Sequence, residues 1–582
     1  MNLFAELETI VAAAVQHLVA GGGLPAALVP ARIVVDPPRD AAFGEATTNI
    51  AMLLAKPARR PPLALAQELA HALHDHPEIV DVAAVAPGFV NLRLRSSFWQ
   101  RVVPAAIHAG AGYGRSTLGR GEAVNVEFCS ANPTGPLHVG HGRGTVFGDA
   151  LAALLEHVGY AVTREYYVND GGAQIEALAR SVHLRYREAL GEPVGAIPAG
   201  LYPGDYLIPV GRAIAERDGA VWCDRPEAEW LRPFATAALD AMLARIRDDL
   251  AALGVRHDRF TSERALIEAG RIDEALRILD EQDLLYTGTL PPPKGRPPED
   301  WEPVPQLLFR ATRFGDDSDR PLRRSTGDWT YFAADIAYHL DKVRRGARHL
   351  VDVWGADHAG YIKRMQAAVT AVSRGAAHLE VRVCQLVNLL DGGKPLKMSK
   401  RAGRIVTLRD VIDEVGRDVV RFIMLTRKND APLDFDVAKV TEQSKDNPVF
   451  YVQYAHARIC SVFRHAAAER LPVDPAALSE AETGRLVDPA ELALLRQVAY
   501  WPRLLEAAAE HREPHRIAFY LGELAAAFHA LWTRGTEEPQ LRFLRTDDPP
   551  LTRARLALLA AVRTTLAAGL GIIGVTPLEE LR

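Results

Sequence analysis

The chain has 582 residues, of which 48% are hydrophobic and 24% charged, and its formal net charge is −5. Such proportions are those of a globular protein of about three to five domains and exclude collagenous or low-complexity chains. The slight acidity gives no global signal for nucleic acid, so any such contact would rest on local basic patches.

From Met1 to about Gly121 the pattern predicts a small α+β domain. Phe4, Leu7, Val11 and Leu18 repeat at helical spacing beside Glu6 and Glu8, which predicts a helix rather than a signal peptide. A strand over Arg32 to Val35 is expected next, then helices around Thr47 to Leu54 and Leu63 to His74. Strands over Ile79 to Val85 and Phe89 to Leu94 follow. Pro57, Pro61 and Pro62 are expected to break the middle helices apart. A link rich in glycine, from Gly110 to Gly121, closes the domain. No apolar run is expected to reach membrane-spanning length. Cys129, Cys223, Cys384 and Cys460 lie far apart without zinc spacing, which predicts reduced thiols, no metal site and a cytoplasmic protein.

The stretch that organises the chain is Val124 to Arg143, VNVEFCSANPTGPLHVGHGR. It passes from a β-branched run through a Pro and Gly turn into a helical pattern beginning near Leu137. His138 and His141 fall three apart on the first turn, with Gly140 between them to let a planar ring approach. A phosphate there would meet unpaired N–H groups, the positive end of the helix dipole and two imidazoles, so a nucleotide site is predicted. Some 260 residues on lies KPLKMSKR, Lys394 to Arg401. The chain has 10 Lys among 68 basic residues, and three of them, Lys394, Lys397 and Lys400, fall within seven positions. Compact, mobile ammonium charges suit a departing pyrophosphate better than the fixed guanidinium fork.

Strands over Ala161 to Val168, Leu350 to Trp354 and Val381 to Val387 complete an α/β domain, a doubly wound parallel sheet with ligands beyond its C-terminal strand ends. Ile175 to about Asp319 is expected to be a mostly helical insertion, with a flexible segment over Pro291 to Pro305 and a core face of Leu243, Ile246 and Leu250. From Asp446 the chain is helical and predicts an all-α bundle. Residues 451–582 hold 15 Arg and no Lys against 16 acidic residues, so this bundle is not basic on balance.

HVGH followed by KMSK resembles the class I aminoacyl-tRNA synthetases. The blocks EFCSANPTGPLHVGHGR, YYVNDGGAQI, WTYFAADIAYH, WGADHAGYI and DNPVFYVQYAHARI, in that order, resemble arginyl-tRNA synthetases, as does FGEATTNIAMLLAK near the start. The resemblance implies a Rossmann-like catalytic domain over about 122–440, an N-terminal tRNA-contacting domain over 1–121 and a helical anticodon-binding domain over 441–582. It implies ATP with Mg²⁺, L-arginine and tRNA(Arg) as partners, an enzyme expected to be a monomer, and arginine activation that requires bound tRNA.

Matched by motif, His138, His141, Lys397 and Lys400 would be catalytic, neutralising phosphate oxygens as pyrophosphate leaves. Thr134, Gly135, Gly140, Gly355, Asp357, His358, Met398 and Ser399 would complete the ATP site. Glu127, Ser130, Asn132, Tyr331 and Asp335 would form the arginine pocket, with the carboxylates at the guanidinium. Tyr451, Tyr454 and Arg458, with Trp501 and Trp532, would stack on tRNA bases. Valine in place of the signature isoleucine in HVGH keeps an apolar side chain. Three alternatives stay open at this point: a smaller nucleotidyltransferase, a non-enzymatic tRNA-binding paralogue, and a synthetase for another cationic amino acid.

Overall fold

Buried β-branched runs alternating with helices build a five-stranded sheet in which every neighbouring pair is parallel. The computed structural model describes residues 1–30, 32–291, 304–396, 406–442, 444 and 446–581. Two compact units divide them, and the sheet belongs to the one spanning Gly119–Glu442 with Ile573–Val575. In chain order its elements are β1 (Ala123–Glu127), α1 (Val139–His157), β2 (Ala161–Val168), β3 (Arg259–Ser262) and α2 (Glu263–Glu268). They continue with α3 (Tyr331–Arg344), β4 (His349–Gly355) and β5 (His378–Cys384).

Across the sheet the order is β5-β4-β1-β2-β3. The chain therefore steps from β1 outward to one edge and returns to β4 on the other side of β1. The order reverses between β1 and β4, and ligands of such sheets bind beyond the C-terminal strand ends at that point. Asp352 of β4 lies in register with Glu127, the last residue of β1, so the two carboxylates come side by side at that end of the sheet. Helix α1 lies close on the sheet because position 148 is glycine; a Cβ there would stand 2.3 Å from that of Phe128.

Several elements depart from the sequence expectation. The stretch 175–319 is not only helical: besides Ala173–Ala189, Ile208–Asp218 and Glu227–Ala252 it supplies β3, the edge strand of the sheet. Four residues, three of them with polar side chains, carry too little alternation to announce a strand. The same stretch, extended to Arg323, adds a three-stranded antiparallel sheet of Leu285–Gly288, Gln306–Phe309 and Arg320–Arg323. Most of the segment 291–305 lies outside the described residues. Ile246 and Leu250 are buried as expected of a core face, and Leu243 is half-buried. The strand expected over 381–387 runs instead over His378–Cys384, and Val387–Asp391 is a separate strand paired with Leu433–Asp436.

The other unit contains Met1–Leu118 together with Gln443–Ile572 and Thr576–Arg582. Arg32 to Val35 is not a strand; the chain there makes only a bridge from Asp36 to Thr47. The strand is Ala46–Thr48, which pairs with Phe89–Leu94, itself paired with Ile79–Val85. The helix expected from Thr47 begins at Ile50 and runs to Ala58 with Pro57 inside its last turn, while Pro62 opens the next helix, Pro62–Leu73. The bundle is formed by Pro448–Ala468, Pro489–His511, His515–Glu537 and Pro549–Ile572. Tyr113 locks onto it: its hydroxyl donates to Val498 O at 2.8 Å and its own carbonyl accepts from Trp501 Nε1 at 3.0 Å.

Contrary to expectation, two helices, Leu3–Ala20 and Pro549–Ile572, are long and apolar enough to cross a membrane. Both are alanine-rich core helices. The first buries one face through Leu3, Phe4, Leu7, Val11 and Val15. The second is mostly buried and carries Arg555 in a 2.6 Å ion pair with Glu491.

Candidate active site

Beyond Glu127 the chain turns through two residues with left-handed backbone, Cys129 (φ 71°) and Ser130 (φ 36°). Neither is glycine, so the turn holds strain of the kind that gathers at functional loops. It points Ser130 back into the site, where its hydroxyl donates to Glu127 Oε1 at 3.0 Å and accepts from the Tyr167 N–H at 3.1 Å. Asn132 is exposed, and Thr134 and Gly135 are half-buried. The Tyr206 hydroxyl, which burial pushes up to about 12, donates to the Thr134 carbonyl at 2.8 Å. Tyr206 was not foreseen, since nothing in its own stretch of sequence points to the loop it braces.

The helix starts two residues later than expected, at Val139 with His138 as its N-cap. The His138 and His141 rings stack with centroids 3.7 Å apart and planes 25° apart, and the His138 N–H donates to His141 Nδ1 at 3.3 Å. A Cβ at Gly140 would stand 2.8 Å from the His138 ring, so the stack requires the glycine. Burial, and then the neighbouring His138, pulls His141 down to about 4. It is therefore neutral at pH 7, and with Nδ1 accepting, its Nε2–H is left as a donor.

Lys397, Met398, Ser399 and Lys400 lie outside the described residues. The chain that follows them returns to the histidine turn: Thr407 forms an antiparallel bridge with His138, and the Leu408 N–H donates to Leu137 O at 2.7 Å. At the end of β4, Gly355 leads into exposed Asp357 and His358, whose side chains approach to 3.4 Å.

Helix α3 supplies the acidic side. Tyr331 is its first residue and is exposed; Asp335, one turn on, is half-buried and accepts the Tyr361 hydroxyl at 2.9 Å. Burial pushes Asp335 up to about 7, with Glu263 and Glu127 adding repulsion against the opposing effects of His339 and Tyr361. Glu127 has a different environment. Its Oε2 accepts the fully buried Lys342 ammonium at 2.5 Å, and the same ammonium reaches Asp352 at 2.9 Å. His339 Nε2 lies 2.9 Å from the other Asp352 oxygen. Burial pushes Asp352 up, but Lys342 and then His339 outweigh it and hold the carboxyl at about 2. Burial, and then the Asp352 charge, raises Glu127 against the pull of Lys342. Sequence reasoning missed Lys342 and His339, although Asp335, His339 and Lys342 repeat at i, i+4 and i+7 on one helix face.

In the bundle, the Arg458 guanidinium lies over Tyr454 at 4.7 Å and over Trp532 at 4.3 Å, and Tyr451 and Tyr454 flank His529. Tyr454 is exposed and Tyr451 half-buried. Trp501 cannot stack on a base: it is fully buried and stacks on Tyr520 with centroids 5.1 Å apart. Its apolar helix face, with Leu494, Leu495 and Val498, marked it as core.

Comparison with known proteins follows the same division. Residues 5–94 match the arginyl tRNA synthetase N terminal domain, 103–194 the catalytic domain of tRNA synthetases class I (R), and 452–581 the DALR anticodon binding domain. An arginine–tRNA ligase of Rhodospirillum rubrum is 56% identical over 593 aligned residues, with all of both chains covered. One of Methylobacterium nodulans is 57% identical over 595, again with both chains covered. The structure of Thermus thermophilus arginyl-tRNA synthetase shares the fold, with a TM-score of 0.76 at 22% identity, and 99% of this chain and 100% of that one covered. With relatives 56% and 57% identical over the full length of both chains and three family models matched along it, the chain belongs to the arginyl-tRNA synthetase family.

Proposed function

We infer that this protein is an arginine–tRNA ligase, which activates L-arginine with ATP to arginyl-adenylate and transfers it to the 3′ end of tRNA(Arg), releasing AMP and pyrophosphate. The observation that carries the reading is the stacked His138 and His141 pair at the start of α1, at the point where the strand order reverses. An amino-acid carboxylate attacking the α-phosphorus of ATP builds charge on phosphate oxygens, so the protein has to position and neutralise rather than supply a nucleophile. The neutral His141 donates through Nε2–H, and the N-terminus of α1 adds its dipole. The return of the chain to His138 at Thr407 supports a place for Lys397 and Lys400 near the same phosphates. Asp357 and His358 face the nucleoside end, and Thr134, Gly135, Gly140, Gly355, Met398 and Ser399 complete the ATP site.

For arginine, Asp335 offers a carboxylate that no Lys or Arg among the described residues pairs, beside Tyr331, with Ser130, Asn132 and Glu127 at the strand end. The cluster of Glu127, His339 and Asp352 has the spacing of a metal site, but it already encloses the Lys342 ammonium and so does not fit a metal ion. Mg²⁺ therefore enters as the ATP complex, held chiefly by phosphate oxygens. The Arg458 stack with Tyr454, together with Tyr451, supports base recognition by the bundle over 441–582, with 1–121 as the tRNA-contacting domain and 122–440 as the catalytic one. One chain carries both sets of residues, which suits a monomer, and its four free cysteines suit a reducing cytoplasm.

The deciding experiment is esterification of labelled arginine onto total tRNA with ATP and Mg²⁺, beside controls without tRNA or with lysine. Charging with arginine alone is expected. Pyrophosphate release without any tRNA product, or charging with lysine, defeats the reading.

A further inference from the structure

The turn between β1 and α1 is gripped by the helical insertion. Tyr206 reaches it across 72 positions and donates its hydroxyl to the Thr134 carbonyl at 2.8 Å. The stretch around Tyr206 is built for that reach. Leu207, the next residue, is fully buried with Leu178, Val182, Tyr186 and Phe234, and the Tyr206 ring packs against the same cluster. Arg185, on the helix Ala173–Ala189, donates to the Pro203 carbonyl at 2.8 Å and so ties down the chain just before it. Gly204 lets the ring fold back over its own backbone, since a Cβ there would stand 2.1 Å from it. The turn is fitted to the same contact: a Cβ at Gly135 would stand 3.0 Å from the Tyr206 oxygen.

What this contact fixes is the plane of one peptide. The Thr134–Gly135 bond is trans, so its N–H points opposite to its carbonyl. With the carbonyl turned onto Tyr206, the Gly135 N–H is turned away from the insertion, and it donates to no acceptor among the described residues. Its neighbours in the turn are committed or have nothing to give. The Thr134 N–H donates to the Asn132 carbonyl, Pro136 carries no N–H, and the His138 N–H donates to His141 Nδ1. Gly135 is thus an open backbone donor in the stretch that leads into the histidine turn. An N–H whose direction is set beforehand stabilises phosphate oxygens without reorganising when the ligand arrives. We propose that Tyr206 is a positioning residue for ATP: by holding the Thr134 carbonyl it presents the Gly135 N–H to the phosphates. This assignment rests on the ATP-site reading above.

The test is tRNA charging by Y206F, G135A and the double variant beside wild type, with ATP and arginine varied separately. Y206F keeps the ring in its cluster and loses one neutral hydrogen bond, so its ATP KM should rise about 3- to 10-fold while its arginine KM stays within about two-fold. G135A crowds the Tyr206 oxygen from the other side and should raise the ATP KM in the same range. Because both changes break one contact, the double variant should show a rise well below the product of the two single rises. If Y206F melts below wild type, G135A, which leaves Tyr206 whole, decides by the same split between the two KM values. An unchanged ATP KM, equal rises for ATP and arginine, or a double variant that reaches the full product overturns the proposal. A wild type that charges no arginine overturns both readings, whereas an unaltered Y206F beside an active wild type overturns only the Tyr206 assignment.

Discussion

Asp352 and Asp335 belong to one acidic region and are driven in opposite directions. Asp352, in the sheet, sits between Lys342 and His339 and is held at about 2. Asp335, on α3, meets a tyrosine hydroxyl, a histidine and other carboxylates, and is pushed up to about 7. Burial alone would raise both. The protein thus neutralises the carboxylate that holds the strand end together and leaves open the one assigned to substrate, and the difference between structure and site is a difference in cations.

The strongest way to break this contrast is to remove the cation. K342M leaves the buried Glu127 and Asp352 without the ammonium they share and should cost about 3–5 kcal/mol of stability, read by denaturant unfolding. A loss below about 1 kcal/mol would mean that the ammonium does not hold the strand end. On the open side the same operation should spare the fold. D335A is expected to raise the arginine KM about 100-fold, as for loss of a charge-assisted bond, with little change for ATP and no loss of stability. Equal rises in both Michaelis constants would remove Asp335 from the pocket.

Titration sharpens the contrast further. A guanidinium binds the ionised carboxylate, so arginine affinity should increase as pH rises through about 7 and become flat in D335N. Stability has the opposite sign. The folded carboxyl is raised above its unfolded value, so the folded state binds the extra proton. Its contribution is fully present below the unfolded value and is lost as pH rises through about 7. Wild type should therefore lose stability relative to D335N from pH 5 to pH 8, and a constant difference would contradict the shift. His339, Glu263, Glu127 and the Tyr361 hydroxyl all face this carboxyl, so the midpoint reports their sum. The smallest effect is expected from Y361F, which removes the hydroxyl donor to Asp335. It should raise the arginine KM about 3- to 10-fold and move the midpoint upward, and an unmoved midpoint would exclude the bond from that control.

Local signals carried a good part of this. The run Val124 to Phe128 before a turn with Pro and Gly marks a strand and a helix start, and β2 occupies the residues its alternation predicts, Ala161–Val168. Tyr331 and Asp335 share a helix face because four residues make about one turn. Where periodicity was short the reading failed: β3 has four residues, and Arg32 to Val35 is a β-branched run that forms no strand, the bridge lying at the next residue, Asp36. Trp501 was offered to RNA because its residue type suits stacking, while its helix places it against Tyr520 in the core.

The sequence by itself determined the family, the parallel sheet, the histidine turn and the position of its glycine, because each depends on neighbours within a few residues or on motif order. Only the tertiary structure decided which carboxylates are already paired. Glu127 meets Lys342 across 215 positions, Glu263 meets Tyr167 across 96, and Thr407 returns to His138 across some 270. Whether a buried charge is neutralised depends on what lies within a few ångströms, and no periodicity along the chain encodes that distance.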